Sequence, residues 1–366
     1  MTRRGALAYL SLETPREGQA SRTHVDEVIG ALRRLGWRVD LYATGHGGAS
    51  ARGRYARRIL DYLAVEARLA RRLSDYDALY VRAHFAAAPV VRLARARGLA
   101  IVHEINGAPS EFAVTYPGLQ SLAATVEWLY RAQFRSADHL VAVTPGLAQW
   151  ARDFAGHRRV AMVPNGANGE LFVPSGPRCE PGYAYVIFVG GLVAWHGVDT
   201  MLAALDDPAW PPALKLVVVG DGVERARLEA AAGHPRLVWL GRRPYAEVPA
   251  LLRGATAALC VIADPHGRSA SGVAPLKLFE AMGCAAPVIV SDLPFQGELV
   301  RRIEAGLVVP PADPAALARA VAQFAGDPAE ARRMGANGAR HVADEASWAR
   351  RVEAIDAILR DATARR

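Results

Sequence analysis

Glu280 is the residue of this 366-residue chain whose type and setting ask most directly for a ligand. It stands in RSASGVAPLKLFEAMGCAAPVIVSD, residues 268–292, one turn after Leu276 and one turn before Gly283, on a helix face expected to pack inward. A carboxylate there needs donors to offset its desolvation, and a ribose diol supplies two. Upstream, the residue types place Ser271 as N-cap and Pro275 as the first helical residue, with Gly283 as the stop. The helix is then about two to three turns long. Gly272 and its small neighbours leave backbone N–H groups open to close approach, which a diphosphate requires. Val273 and Leu276 belong to the same expected donor-binding set, with Arg268 and Lys277 as the nearby cations. The flexible ammonium of Lys277 suits a phosphate oxygen, though a solvated helix lysine explains it equally well.

The elements that must position these residues alternate. In the first half, strands are expected at 6–10, 38–42, 78–81, 100–105 and 139–143, with helices at 23–35, 55–73, 87–97 and 119–136. Pro164-Asn165-Gly166 and the prolines from Pro174 to Pro181 punctuate the middle, and a new strand, 185–189, follows. Further strands are expected at 214–219, 237–239, 257–261 and 288–290, with helices at 223–232, 248–253 and 315–324. The reading is α/β: two doubly wound parallel sheets, a first domain over 1–175 and a second over 176–345. Two such sheets with their strand ends facing would form a ligand cleft.

Residues 1–170 carry 23 arginines, no lysine and 15 acidic residues, whereas the remainder balances at 21 of each sign. The excess points the first domain toward an anionic partner such as a membrane surface or phosphorylated acceptor, or reflects an arginine-rich composition alone. Its densest stretch, Arg52–Arg72, spaces Tyr55, Ile59, Leu63 and Leu69 as a helix would. Nucleic acid is a poor candidate, since no reading motif accompanies the charge. Cys179, Cys260 and Cys284 are too widely spaced for a disulfide framework or zinc site and fit a reducing compartment. The N-terminus reads as a first strand rather than a leader, and no stretch reaches the length of a membrane span. A cytoplasmic location is expected, with the inner face of the membrane as a variant.

The signature around Glu280 resembles that of retaining glycosyltransferases of the two-domain GT-B fold, in particular glycosyltransferase family 4. The resemblance extends over about nine tenths of the chain. It runs through Gly18-Gln19-Ala20-Ser21, VPNGANGELFVP at 163–174, FVGGLVAWHGVDTML at 188–202, VVVGDGVERARLE at 217–229, WLGRRPYAEVPALL at 239–252 and GLVVPPADPAALARAV at 306–321. It implies two facing Rossmann-like domains, the first binding acceptor and the second nucleotide sugar, with a last helix in 346–366 crossing back to the first. In the family an Arg and a Lys after the second domain's first strand face the phosphates; here Gly191, next to Gly190, and His196 stand there. An imidazolium at His196 could replace the ammonium, or the ring could serve only a loop hydrogen bond. Of the family's two glutamates eight positions apart, Gly272 replaces the first and Glu280 matches the second.

Gly220, Asp221 and Gly222 could wrap a base edge or form an ordinary turn. Gly18 and Gln19 are placed over the donor phosphates, and no Gly-x-Gly-x-x-Gly follows the first strand, which argues against a dinucleotide cofactor. In IVHEINGAP, 101–109, Asn106 falls where many relatives carry a histidine and is limited to orienting a hydroxyl. Strand alternation puts Glu104 on its side as an acceptor contact or base, and His103 on the other side as structural. The resemblance implies retention without metal or cofactor, and the sequence shows no Asp-x-Asp motif. The expected function is a retaining transfer of a sugar from a nucleotide diphosphate to a glycan, lipid-linked intermediate or small metabolite. A nucleotide-sugar 2-epimerase and a non-catalytic nucleotide-binding partner subunit are the alternatives.

Overall fold

The computed structural model describes residues 4–13, 20–45, 54–107, 117–263 and 269–366, with the side chains of 54–56 and 117–119 left out. Two compact units divide the chain, one of residues 1–164 with 352–366 and one of residues 165–351. The division falls at Pro164/Asn165 rather than near 175, because the turn residues of 165–175 fold with the second sheet. Asn165 donates to the Ala274 carbonyl at 2.6 Å, and Phe172 is buried in the second core.

The first unit holds six parallel strands: β1 (Gly5–Ser11), β2 (Trp37–Ala43), β3 (Ala78–Arg82), β4 (Ala100–Ile105), β5 (His139–Ala142) and β6 (Val160–Met162). Their order is β2-β1-β3-β4-β5-β6, so the winding reverses between β1 and β3. Helices α1 (Ala20–Arg34), α2 (Arg54–Ala70), α3 (Ala88–Ala96), α4 (Ala123–Ser136) and α5 (Pro145–Ala155) make the crossovers. Neither α5 nor β6 was expected. Thr144 caps α5 by accepting from Leu147 N, and Pro145 opens it, but the three-residue β6 is too short to carry a pattern. Of the basic stretch, Arg52 and the side chains of Arg54 and Tyr55 lie outside the described residues.

The second unit has β7 (Tyr185–Val189), β8 (Lys215–Val219), β9 (Leu237–Gly241), β10 (Ala257–Cys260), β11 (Val288–Ser291) and β12 (Gly306–Val309), ordered β12-β11-β10-β7-β8-β9. This is the doubly wound nucleotide-binding order, with the reversal between β7 and β10, where such sheets take ligands. Alternation along the strands feeds two cores. Ile187, Val217, Val219 and Cys260 face one side, and Val186, Phe188, Leu216 and Val218 the other. Helices α6 (Val198–Leu205), α7 (Arg225–Ala230), α8 (Val248–Gly254), α9 (Leu276–Gly283), α10 (Gln296–Ile303), α11 (Pro314–Gly326) and α12 (Pro328–His341) cover the two faces. The last helix, α13, spans Trp348–Ala364, and its residues from Val352 on belong to the first unit. There Asp356 accepts from Trp37 Nε1 at 2.8 Å and Asp361 lies 2.7 Å from His139.

The loops after β7 and β8 are bound to each other. Leu192 N donates to Asp221 O at 3.0 Å, Glu224 N to Leu192 O at 3.0 Å, and Leu192 and Gly222 form a bridge. The glycines permit this: a Cβ on Gly220, whose φ is +140°, would meet Gly190 O at 1.9 Å, and one on Gly222 would meet Leu192 O at 2.2 Å. Gly220→Ala must therefore pry the two loops apart. It should cost about 3 kcal/mol or more of stability, read by urea unfolding, and a loss below about 0.5 kcal/mol would contradict this role.

Candidate functional site

Helix α9 begins later than its residue types suggest. Pro275 is itself the N-cap, with φ −71° and ψ 140°, and no side chain caps the first turn. Ser271 lies in the preceding turn, which closes through Gly272 N donating to Ser269 O at 2.8 Å, with Gly272 at φ +91°. Val273 N then donates to Pro294 O at 3.1 Å, fastening this loop to the start of α10. Gly283 is the last helical residue rather than the stop. A Cβ there would meet Phe172 O at 2.6 Å, and the left-handed turn falls two residues later, on Ala285 at φ 56°.

This start carries the Lys277 side chain under the turn that leaves β7. Its Nζ is sealed from solvent and meets no hydrogen-bond acceptor among the described residues. It lies 4.0 Å from the Phe188 ring centroid and 3.3 Å from where a Cβ on Gly190 would stand. A ring face attracts an ammonium but replaces only part of its lost hydration. Burial lowers the Lys277 pKa to about 8, with Cys260 and Glu280 opposing the shift. The folded state thus holds its proton less tightly than the unfolded chain, so the penalty is complete below pH 8 and fades as pH rises from 8 toward 10.5. Its size is on the order of 3 kcal/mol. A buried cation at the switch point, with no acceptor of its own, fits an anionic ligand.

Glu280 is 7% exposed, and its Oε1 accepts from the Tyr245 hydroxyl at 2.8 Å. Tyr245 stacks edge-on against Phe172 with centroids 5.2 Å apart, which holds the hydroxyl in place. Sequence reading missed Tyr245: nothing in RRPYAEV announces a return to a carboxylate 35 residues on.

Without ligand, His196 makes the loop hydrogen bond that was one of its two expected roles. Burial, then the neighbouring Lys277 charge, lowers its pKa to about 3, so the ring is neutral at physiological pH. Its Nδ1 lies 2.6 Å from Gly191 O, which can only accept, so Nδ1 carries the proton and Nε2 is a bare acceptor. Gly191 has open space around its Cβ position where the family pattern has an arginine. Gly220 and Gly222 serve the loop contacts described above. The Asp221 side chain turns back to accept from Gly222 N at 2.8 Å. Gly18, Gln19 and Arg268 lie outside the described residues.

In the first unit, Glu104 is 1% exposed at the end of β4. Tyr80 OH donates to its Oε2 at 2.8 Å, and Arg82 Nη1 and Asn106 Nδ2 donate to Oε1 at 3.0 and 2.6 Å. His24 Nε2 lies 2.8 Å from the same oxygen. Burial alone would raise the Glu104 pKa, but His24, Arg82 and Asn106 outweigh it and hold the carboxyl well below its usual range. So deep an acid is a poor base: Glu104 anchors Arg82 and Asn106 instead. His103, on the opposite face, is fully buried against Phe134 with centroids 5.5 Å apart, and burial lowers its pKa to about 3.

The first half of the chain, residues 21–171, matches the model described as Glycosyltransferase Family 4, and residues 177–341 match that of Glycosyl transferases group 1. The chain belongs to glycosyltransferase family 4. It is 27% identical to alpha-maltose-1-phosphate synthase of Mycolicibacterium smegmatis, over 65% of this chain and 66% of that protein. It spans less than two thirds of the length of the curated relatives it matches. In fold it resembles sucrose-phosphate synthase of Thermosynechococcus elongatus, with TM-score 0.78 and 22% identity over 99% of this chain and 100% of the other. It also resembles HepE of Anabaena in complex with UDP-glucose, with TM-score 0.69 and 17% identity over 99% and 100% of the two chains. These likenesses make the fold GT-B.

Two outcomes test the assigned roles. Lys277→Met should raise the stability of the ligand-free protein at pH 7 by about 1–3 kcal/mol, with the gain shrinking toward pH 10; thermal melts showing destabilisation at both pH values would contradict the unpartnered ammonium. Glu104→Gln removes the buried countercharge of Arg82, leaving it only the more exposed Glu13 at 3.0 Å, and should cost about 2–4 kcal/mol at pH 7 by denaturant unfolding. Full stability with lost turnover would return Glu104 to the role of a base.

Proposed function

We propose that this family 4 enzyme moves a sugar from a nucleotide diphosphate donor to a hydroxyl acceptor with retention of anomeric configuration and without a metal. The observation that carries the reading is the buried, acceptor-less Nζ of Lys277 at the switch point of the second sheet. A diphosphate placed there gives the ammonium its counterion and the uncapped first turn of α9 an anion. The charge released on the leaving diphosphate then meets a cation already oriented and stripped of water. Glu280, held by Tyr245, is the carboxylate proposed to accept from the ribose diol. His196 Nε2 can accept from a sugar hydroxyl, and Asn106 of the first unit, held by Glu104, can orient the acceptor. In the proposed step the bond from the anomeric carbon to the diphosphate breaks, the acceptor oxygen bonds on the same face, and its proton passes to a leaving phosphate oxygen. UDP is the first donor base to test, since HepE is titled as a UDP-glucose complex. The acceptor is a glycan, a lipid-linked intermediate or a small metabolite, and the basic first unit is proposed to touch an anionic membrane surface.

The epimerase alternative lacks support. It needs a paired acid and base, yet Glu104 and His103 lie on opposite faces of β4, each held far from neutral titration. The non-catalytic reading keeps one observation in its favour, the empty space at Gly191.

Calorimetry and product analysis separate these readings. Glu280→Ala should weaken UDP binding by about 1–3 kcal/mol, and NMR of the product should show the anomeric configuration of the donor. Unchanged binding would remove Glu280 from the ribose, an inverted product would overturn retention, and binding without transfer across a donor panel would favour the partner subunit.

A further inference from the structure

The first unit contains a cavity that the sugar-transfer chemistry does not use. It is a half-open pocket of about 920 Å³ among α2, α3 and α4, near the upper end of the roughly 300–1,000 Å³ typical of small-ligand pockets. Its walls are largely apolar, including Ile59, Leu63, Phe85, Val91 and Leu129. Ile59, Leu63 and Trp128 stand 57%, 54% and 61% exposed, so apolar surface continues from the cavity to its rim.

Two residues lining this space, Glu66 and Gln133, each carry a buried side-chain oxygen with no hydrogen-bond partner among the described residues. Glu66 is 6% exposed and its Oε1 has no hydrogen-bond partner; burial raises its pKa to about 7. Gln133 is 3% exposed, and its Oε1 is likewise unpartnered, although its Nε2 donates to Leu129 O at 3.2 Å and Phe85 O at 3.3 Å. Core packing alone leaves such atoms costly. A ligand with both an apolar chain and polar atoms satisfies them, because a protonated carboxyl donates and an amide oxygen accepts. Among the described residues, the other charged groups lining the cavity are Arg58 and Arg92, which favour an anion at its rim.

We propose that this cavity takes one acyl chain of an anionic membrane phospholipid, with the lipid phosphate on Arg58 and Arg92 and its glycerol region against Glu66 and Gln133. An amphipathic peptide fits less well, since the described charge at the rim is of one sign. The proposal rests on the membrane-contact part of the reading above and is independent of sugar transfer.

The test uses the full chain with vesicles of phosphatidylcholine and phosphatidylglycerol, with and without bromine on the phosphatidylglycerol acyl chains. Bromine should quench a component of tryptophan fluorescence that is absent in Trp128→Phe. Ala132→Phe, which fills the cavity from an exposed position on α4, should weaken vesicle binding about tenfold while leaving the circular dichroism spectrum and UDP binding unchanged. Vesicle binding that Ala132→Phe leaves intact, or that leaves Trp128 unquenched, would overturn chain insertion while sparing surface contact. No vesicle binding at all would overturn both and leave the transferase reading standing.

Discussion

A single ammonium group, shut away from water with nothing to accept its hydrogen bonds, organises the second unit. Lys277 reaches this position because α9 starts at Leu276, because Gly190 has no side chain to block Nζ, and because Phe188 turns its ring toward the charge. Each feature is local, and together they hold a cation in a state less stable than its exposed form. Such stored instability is useful where a ligand relieves it, since the free energy recovered on ion pairing goes into binding a group that is itself becoming more negative. The interlocked glycine loops after β7 and β8 keep this arrangement stiff, so relief must come from the ligand rather than from loop movement.

The first unit solves the opposite problem. Glu104 collects His24, Arg82, Tyr80 and Asn106 around one buried carboxylate, and little is left unsatisfied there. That network fixes the direction of the Asn106 amide at the carboxyl end of β4. Asn106 is thereby a rigid, neutral hydrogen-bonding group, suited to orienting a hydroxyl and unable to take its proton.

The alternation of strands and helices, the position of Glu280 and its inward face were legible from residue pattern, because each depends on neighbours within a few positions. The role of Lys277 was only half legible: a lysine near a helix start is as often solvated as buried, and the difference lies in Phe188 and Gly190, some ninety residues earlier. His196 was half legible for a related reason. An imidazole is a plausible cation until a second positive charge and loss of water act on it together, and neither is visible in AWHG. Glu104 was read as an acceptor contact or base because its partners come from two other elements, His24 from α1 and Tyr80 and Arg82 from β3. Gly220-Asp221-Gly222 was read as a base-edge contact or an ordinary turn, and the close approach its glycines permit to another loop's backbone could not be read from the sequence. The short strands β6 and β12 were not expected from the sequence.

Lys215 and Lys277 are the only lysines in the sequence, which makes the central claim directly observable. With ¹³C-labelled lysine, the two Cε–Hε signals can be titrated separately by NMR, and Lys277→Met assigns them. The account predicts that the Lys277 signal titrates with a midpoint near 8 in the free protein and moves upward when UDP is added. Two midpoints near 10.5, with neither responding to UDP, would contradict it.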